Sequence, residues 1–141
     1  MKKLLLSLTL AFIMVFTFTT SAFAAVPDEV VAEPRLTSSI NIAVDRTSGT
    51  KGGATIDCNF ADTMDSFTVD VYLQKLSSGS WVNDTSNEDY HKRAYGTNND
   101  FAFFDVHYDK LVYGTSYRIK VVSKTSLDGV SYQRSAYSAT F

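Results

Sequence analysis

The sequence predicts an all-β sandwich of seven strands, preceded by an N-terminal signal peptide helix. Three observations carry this. Apolar side chains recur at every second position in several short runs. Clusters of Gly, Ser, Asn and Asp separate those runs, as turns do. From residue 36 onward there is no proline, and no stretch repeats with helical period.

The first 24 residues have the build of an export signal. Lys2 and Lys3 give a positive start, residues 4–16 are almost wholly apolar, and Ala22-Phe23-Ala24 places small residues where signal peptidase reads. Cleavage is expected after Ala24, leaving a secreted, extracellular chain. The competing expectation is a retained anchor helix, since the apolar run with its Thr-rich end approaches the roughly 20 residues a bilayer span needs. Residues 25–35, AVPDEVVAEPR, hold both prolines and read as an extended leader, because proline restricts itself and its predecessor. Residues 36–141 are the domain.

Charge narrows the partner class. The whole chain has 13 Lys/Arg and 15 Asp/Glu. The signal contains two Lys and no acid, so eleven basic groups face fifteen acidic ones afterwards, a net charge of about −4. Such a domain has no general attraction for phosphate backbones or anionic lipid, which argues against nucleic acid and, after signal cleavage, against the membrane. Cys58 is the single cysteine, so no internal disulfide forms.

The strands are expected at residues 36–44, 54–60, 67–73, 81–82, 101–108, 115–123 and 130–141. The first should present Leu36, Ser38, Ile40, Ile42 and Val44 on one face. The second has the cleanest alternation, with Ala54, Ile56, Cys58 and Phe60 inward. The third sets Phe67, Val69, Val71 and Leu73 against Thr68, Asp70, Tyr72 and Gln74. Alternation slips at Phe103-Phe104, which suggests a bulge. Residues 77–80 and 126–129 are expected turns, and residues 83–99 read as the least structured part.

One run carries more weight than the strand count. Leu111-Val112-Tyr113-Gly114-Thr115-Ser116-Tyr117-Arg118-Ile119-Lys120-Val121 fits L-x-x-G-T-x-Y-x-x-x-V. Leu111 would plug the end of the sandwich and Gly114 would permit a tight corner. The Tyr117 hydroxyl would bond a backbone group a few residues upstream, making a tyrosine corner. On this run the domain resembles fibronectin type III and immunoglobulin-like sandwiches. More narrowly, it is similar to small exported Firmicutes proteins of families of unknown function. The features are the signal peptide, Pro34-Arg35-Leu36, Val71-Tyr72-Leu73-Gln74-Lys75-Leu76, Gly79-Ser80-Trp81 and Gly114-Thr115-Ser116-Tyr117-Arg118. That resemblance implies export and a sandwich, and it brings no catalytic residue. The tryptophan usual in the second strand of fibronectin domains is missing here, so Ile56 or Phe60 must fill its volume.

Chemistry of catalysis is hard to assemble from these residues. The two histidines are His91, in the polar run Glu88-Asp89-Tyr90-His91-Lys92-Arg93 and expected to be solvated, and His107, expected to point outward. No G-x-S-x-G elbow occurs. Cys58 falls inward between Ile56 and Phe60, where a thiol behaves as a small inert hydrophobe. Asn83, Asp84, Asn87, Glu88 and Asp89 supply oxygen donors, as do Asp62 and Asp65, yet their spacing fits no calcium loop. Neither a cofactor nor a metal is expected.

Aromatic residues are the remaining signal. All eight tyrosines follow the signal peptide, and Tyr72, Trp81, Tyr132 and Tyr137 fall outside the core by parity or position. Tyr and Trp on a rigid sheet make contact anchors, although Tyr also favours strands for its own sake. The leading expectation is therefore a non-enzymatic extracellular binding or cell-surface module whose partner is a protein or a glycan. Exposed edges also leave room for strand addition. A carbohydrate-binding module would require two or three of those four rings in one coplanar strip. A small secreted enzyme or inhibitor would require a concave pocket joining a histidine to acids.

Overall fold

Residues 37–141 are described in the computed structural model, and among them are eight strands and no helix. The expected signal peptide and leader, and Leu36 of the first expected strand, lie outside the described residues. In chain order the strands are β1 (Thr37–Asp45), β2 (Gly52–Met64), β3 (Ser66–Ser77), β4 (Ser80–Asn83), β5 (His91–Gly96), β6 (Asn99–Tyr108), β7 (Tyr117–Leu127) and β8 (Val130–Tyr137). All pairings are antiparallel. The smaller sheet has the order β1-β2-β6. In the larger one, β3 is central: β7 and then β8 lie to one side, while β4 and β5 run end to end along the other.

Alternation in the sequence becomes the core directly. Ala54, Ile56, Cys58 and Phe60 of β2 are buried, as are Phe67, Val69, Val71 and Leu73 of β3 and Tyr117, Ile119 and Val121 of β7. Each such aliphatic or aromatic side chain contributes about 1.5–3 kcal/mol by leaving water, so the two inner faces hold each other in register. Phe60 and Phe67 meet with ring centroids 5.0 Å apart. Both expected tight hairpins form. Asp128 and Gly129 have φ of 51° and 77°, the double positive φ of a type I′ turn, and Leu127 pairs with Val130 across it.

Five expectations are corrected. The strand count is eight, because residues 91–96 of the supposedly irregular stretch pair with β3 as β5. Ser38 is exposed and Thr37 is buried instead, since the β1–β2 register shifts between Thr37 and Ser39 and reverses parity there. No bulge occurs at Phe103-Phe104. Strand β6 alternates regularly from Phe101 to Tyr108, with Phe103 pointing out and Phe104 packed on the core. The irregularity sits between Asn59 and Met64 of β2. Asp70 and Gln74, expected on the solvent side of β3, do point outward but are buried. A central strand is flanked on both sides, so long side chains of its neighbours cover it. Finally, β8 ends at Tyr137, although the chain pairs with β7 again where the Phe141 and Tyr117 amides and carbonyls exchange hydrogen bonds at 3.0 Å.

Candidate functional site: the outer face of the larger sheet

Cross-strand pairs share a side of the sheet, so the register defines the outer face of the larger sheet row by row. Tyr95, Thr68, Lys124 and Gln133 form one row, and Arg93, Asp70, Val122 and Ser135 the next. His91, Tyr72, Lys120 and Tyr137 follow, and then Asn83, Gln74 and Arg118, with Trp81 beyond them opposite Leu76. Four Lys/Arg side chains on this face oppose the single carboxylate of Asp70, a local excess of about three positive charges in a chain whose total is −2.

At one end of the face, three side chains stack. The Arg118 guanidinium lies 4.6 Å from the ring centroid of Trp81 and 4.3 Å from that of Tyr137, within cation–π range of both. Its Nε donates to Gln74 Oε1 at 2.9 Å, and Gln74 Nε2 donates to Asn83 Oδ1 at 3.0 Å. Trp81 is half-buried and Tyr137 is 51% exposed. The arrangement fixes two amphipathic rings and a cation without burying them, so little side-chain entropy remains to be lost on contact with a partner.

A second cluster occupies the middle of the face. Asp70 accepts from Arg93 Nε at 2.6 Å and from Arg93 Nη2 at 3.0 Å, and His91 Nε2 lies 2.7 Å from its Oδ1. Burial opposes ionisation of Asp70, but the bonds from Arg93 and His91 outweigh it and hold the carboxyl below its ordinary 3.8. His91 stacks on Tyr72 with centroids 4.6 Å apart and planes 8° from parallel. It is therefore half-buried and engaged, contrary to the expectation that it is solvated.

Compared with known proteins, this chain matches no family model, no curated protein and no solved structure.

Of the four rings singled out by sequence, three come together. Tyr72, Trp81 and Tyr137 share the outer face, whereas Tyr132 is opposite Thr125 and so lies on the other side of β8. Sequence reasoning missed Arg118, Lys120, Lys124 and Arg93. The first three stand at even positions of β7 and alternate with inward residues, so the signal was present. It was masked by the acidic total.

The remaining chemistry-bearing groups have structural employment. Cys58 is buried in the core, where burial, helped by the Asp57 charge, pushes the thiol up to about 11. Asp84, one of the loop oxygen donors, is buried, accepts from Lys75 Nζ at 2.8 Å and is bonded by the Ser86 hydroxyl. Those bonds outweigh burial and keep its carboxyl below the usual range. Asp65 accepts from the Asp128 amide at 2.8 Å, tying the β2–β3 turn to the β7–β8 hairpin. Among the described residues no group of three His, Cys, Asp or Glu side chains is placed to hold a metal ion. His107 stands 3.5 Å from Asp105 on the outer side of β6, with most of its side chain in water.

Leu111, Gly114 and Tyr117 make the corner the sequence anticipates. Leu111 is buried, Gly114 has φ 74°, and the Tyr117 hydroxyl accepts from the Val112 amide at 3.0 Å. Arg46, in the connection between β1 and β2, locks this corner from outside. It donates to the carbonyls of Thr115 and Gly49 at 2.6 Å and of Val112 at 2.9 Å, and sits 5.5 Å from the Tyr117 ring centroid.

Proposed function

We propose that this chain is a secreted, non-enzymatic binding module with a fibronectin type III-like sandwich, and that it recognises an acidic extracellular protein through the outer face of its larger sheet. The observation that carries the reading is the Trp81–Arg118–Tyr137 stack within a face of four basic side chains and one paired carboxylate. Tryptophan, tyrosine and arginine are the residues that most often anchor protein interfaces, and a preorganised set binds at the least entropic cost. Surrounding lysines give long-range attraction to a negative partner and set its orientation.

The fibronectin-like assignment is supported by the strand order, three strands facing a larger sheet, and by the Tyr117 corner. Export is supported by the signal pattern of residues 1–24. A module for neutral sugars fits less well. Such a site uses rings as one flat platform, and here Trp81 and Tyr137 are each engaged by the guanidinium of Arg118.

The test uses residues 25–141 and immobilised poly-L-glutamate, poly-L-lysine and a panel of neutral oligosaccharides. Salt-sensitive retention on poly-L-glutamate alone, lost in Lys120→Gln/Lys124→Gln and weakened in Trp81→Ala, is the expected result. Retention on the sugars with none on poly-L-glutamate would replace this reading by the carbohydrate one.

A further inference from the structure

The two outer faces of this sandwich carry opposite charge. On the smaller sheet the outer rows are Ser39, Asn59 and Phe101; Asn41, Asp57 and Phe103; Ala43, Thr55 and Asp105; and Asp45, Gly53 and His107. Three carboxylates stand there and no Lys or Arg. Arg46, next in the chain to Asp45, turns its guanidinium to the carbonyls of the Tyr117 corner instead, while Lys92 and Arg93 of β5 border the β6 edge beside Phe103, Asp105 and His107. Beside the acids, Phe101 and Phe103 are 57% and 55% exposed. Two outward phenylalanines side by side on an edge strand take no part in the core, which the inward positions Ala102 and Phe104 already serve. Such exposed apolar pairs rimmed by polar groups mark contact surfaces.

We propose that the partner of the basic face is a second copy of this chain, which presents this acidic, Phe-bearing face. The inference rests on the reading of the larger sheet as the recognition surface and names what it meets. Three carboxylates answer a net excess of three cations, and Phe101 and Phe103 supply apolar anchors opposite the rings of Tyr72, Tyr95, Trp81 and Tyr137. The two surfaces differ, so the contact is head-to-tail. It leaves a free face of each kind at the ends of every dimer, and growth is open-ended. Strands about 4.8 Å apart and about 3.4 Å of rise per residue make the smaller sheet's face roughly 15 by 20 Å and the larger sheet's roughly 20 by 27 Å. Both are below the about 800 Å² per partner of a standard interface, so association is weak and depends on charge.

Sedimentation of residues 25–141 tests this with three samples: the wild type, Lys120→Gln/Lys124→Gln, and Asp57→Asn/Asp105→Asn. All four positions are on the surface, and Gln and Asn keep the shapes. At about 10 mM salt, where charges act over about 30 Å, the wild-type mass should rise with concentration; at about 1 M, where the range is about 3 Å, it should not. Each double variant alone should lose about tenfold or more in association constant, as expected when charged partners are removed from an interface. Mixed, the two variants should form a one-to-one dimer and nothing larger, because each retains the face the other lacks. A mixture that stays monomeric, or self-association indifferent to both variants, overturns the proposal. A wild type that stays monomeric at low salt yet is retained on poly-L-glutamate also overturns it, while leaving the binding face in place.

Discussion

The hydroxyl of Tyr117 accepts a hydrogen bond from the amide of Val112, five residues earlier in the chain, at 3.0 Å. It thereby closes the crossing from β6 to β7 over the buried Leu111. Tyr117→Phe keeps the ring and removes only this acceptor. Leaving one partly buried amide without a partner costs about 1–3 kcal/mol. Denaturant unfolding should therefore give a lower midpoint with an unchanged slope, since the folded surface is the same.

Arg46 holds the same corner from the other side, through carbonyls of both the β1–β2 turn and the β6–β7 connection. Bonds to a charged donor contribute about 1.5–3 kcal/mol each before the entropy of a long side chain is set against them. Arg46→Ala should destabilise the domain by about 1–3 kcal/mol. Hydrogen exchange should quicken locally at Val112 and Thr115, with the amides of β3 unaffected until global unfolding.

Asp70 and Asp84 govern the acid limb of stability. Both carboxyls are held below their ordinary 3.8 in the folded chain, by Arg93 and His91 in one case and by Lys75 and Ser86 in the other, against the opposing effect of burial. The unfolded chain then binds more protons than the folded one at mildly acidic pH, so stability rises with pH in that window. Stabilisation is full above about pH 5 and is lost as pH falls through the ordinary carboxyl value and on through the folded ones. Asp70→Asn and Asp84→Asn should each lower the melting temperature near neutrality and flatten its decline between about pH 5 and pH 2.

Cys58 tests the interior. With its thiol buried in the core and raised to about 11, little nucleophilic thiolate exists at pH 8 and the core shields it from reagents. Iodoacetamide should leave the folded domain unlabelled and modify it stoichiometrically in denaturant. Rapid native labelling would mean that the β2 face opens locally.

Period-two patterning located β2, β3 and β7 from sequence because each of them buries one continuous face. It failed where the physical determinant was a neighbour and not the strand itself. Asp70 is buried because Arg93 and His91 reach over it from β5, and β5 was itself obscured because its inward members are Lys92, Ala94 and Gly96, with no large apolar side chain among them. The Tyr117 corner was legible because its spacing is local. The candidate site was half legible. Tyr72, Trp81 and Tyr137 stood out as surplus aromatics, but their assembly around Arg118 depends on pairing among β3, β4, β7 and β8, which no local window contains. The opposed charges of the two outer faces were invisible for the same reason, since they cancel in the total.

The central claim is that recognition occurs on the outer face of the larger sheet. Its most direct test is an NMR titration of isotopically labelled residues 25–141 with poly-L-glutamate at low salt. Shift changes should gather at the amides of Arg93, Arg118, Lys120 and Lys124 and at the Trp81 indole, and should fade as salt is added. Changes confined to β6 around Phe101 and Phe103, or no changes at any residue, would contradict it.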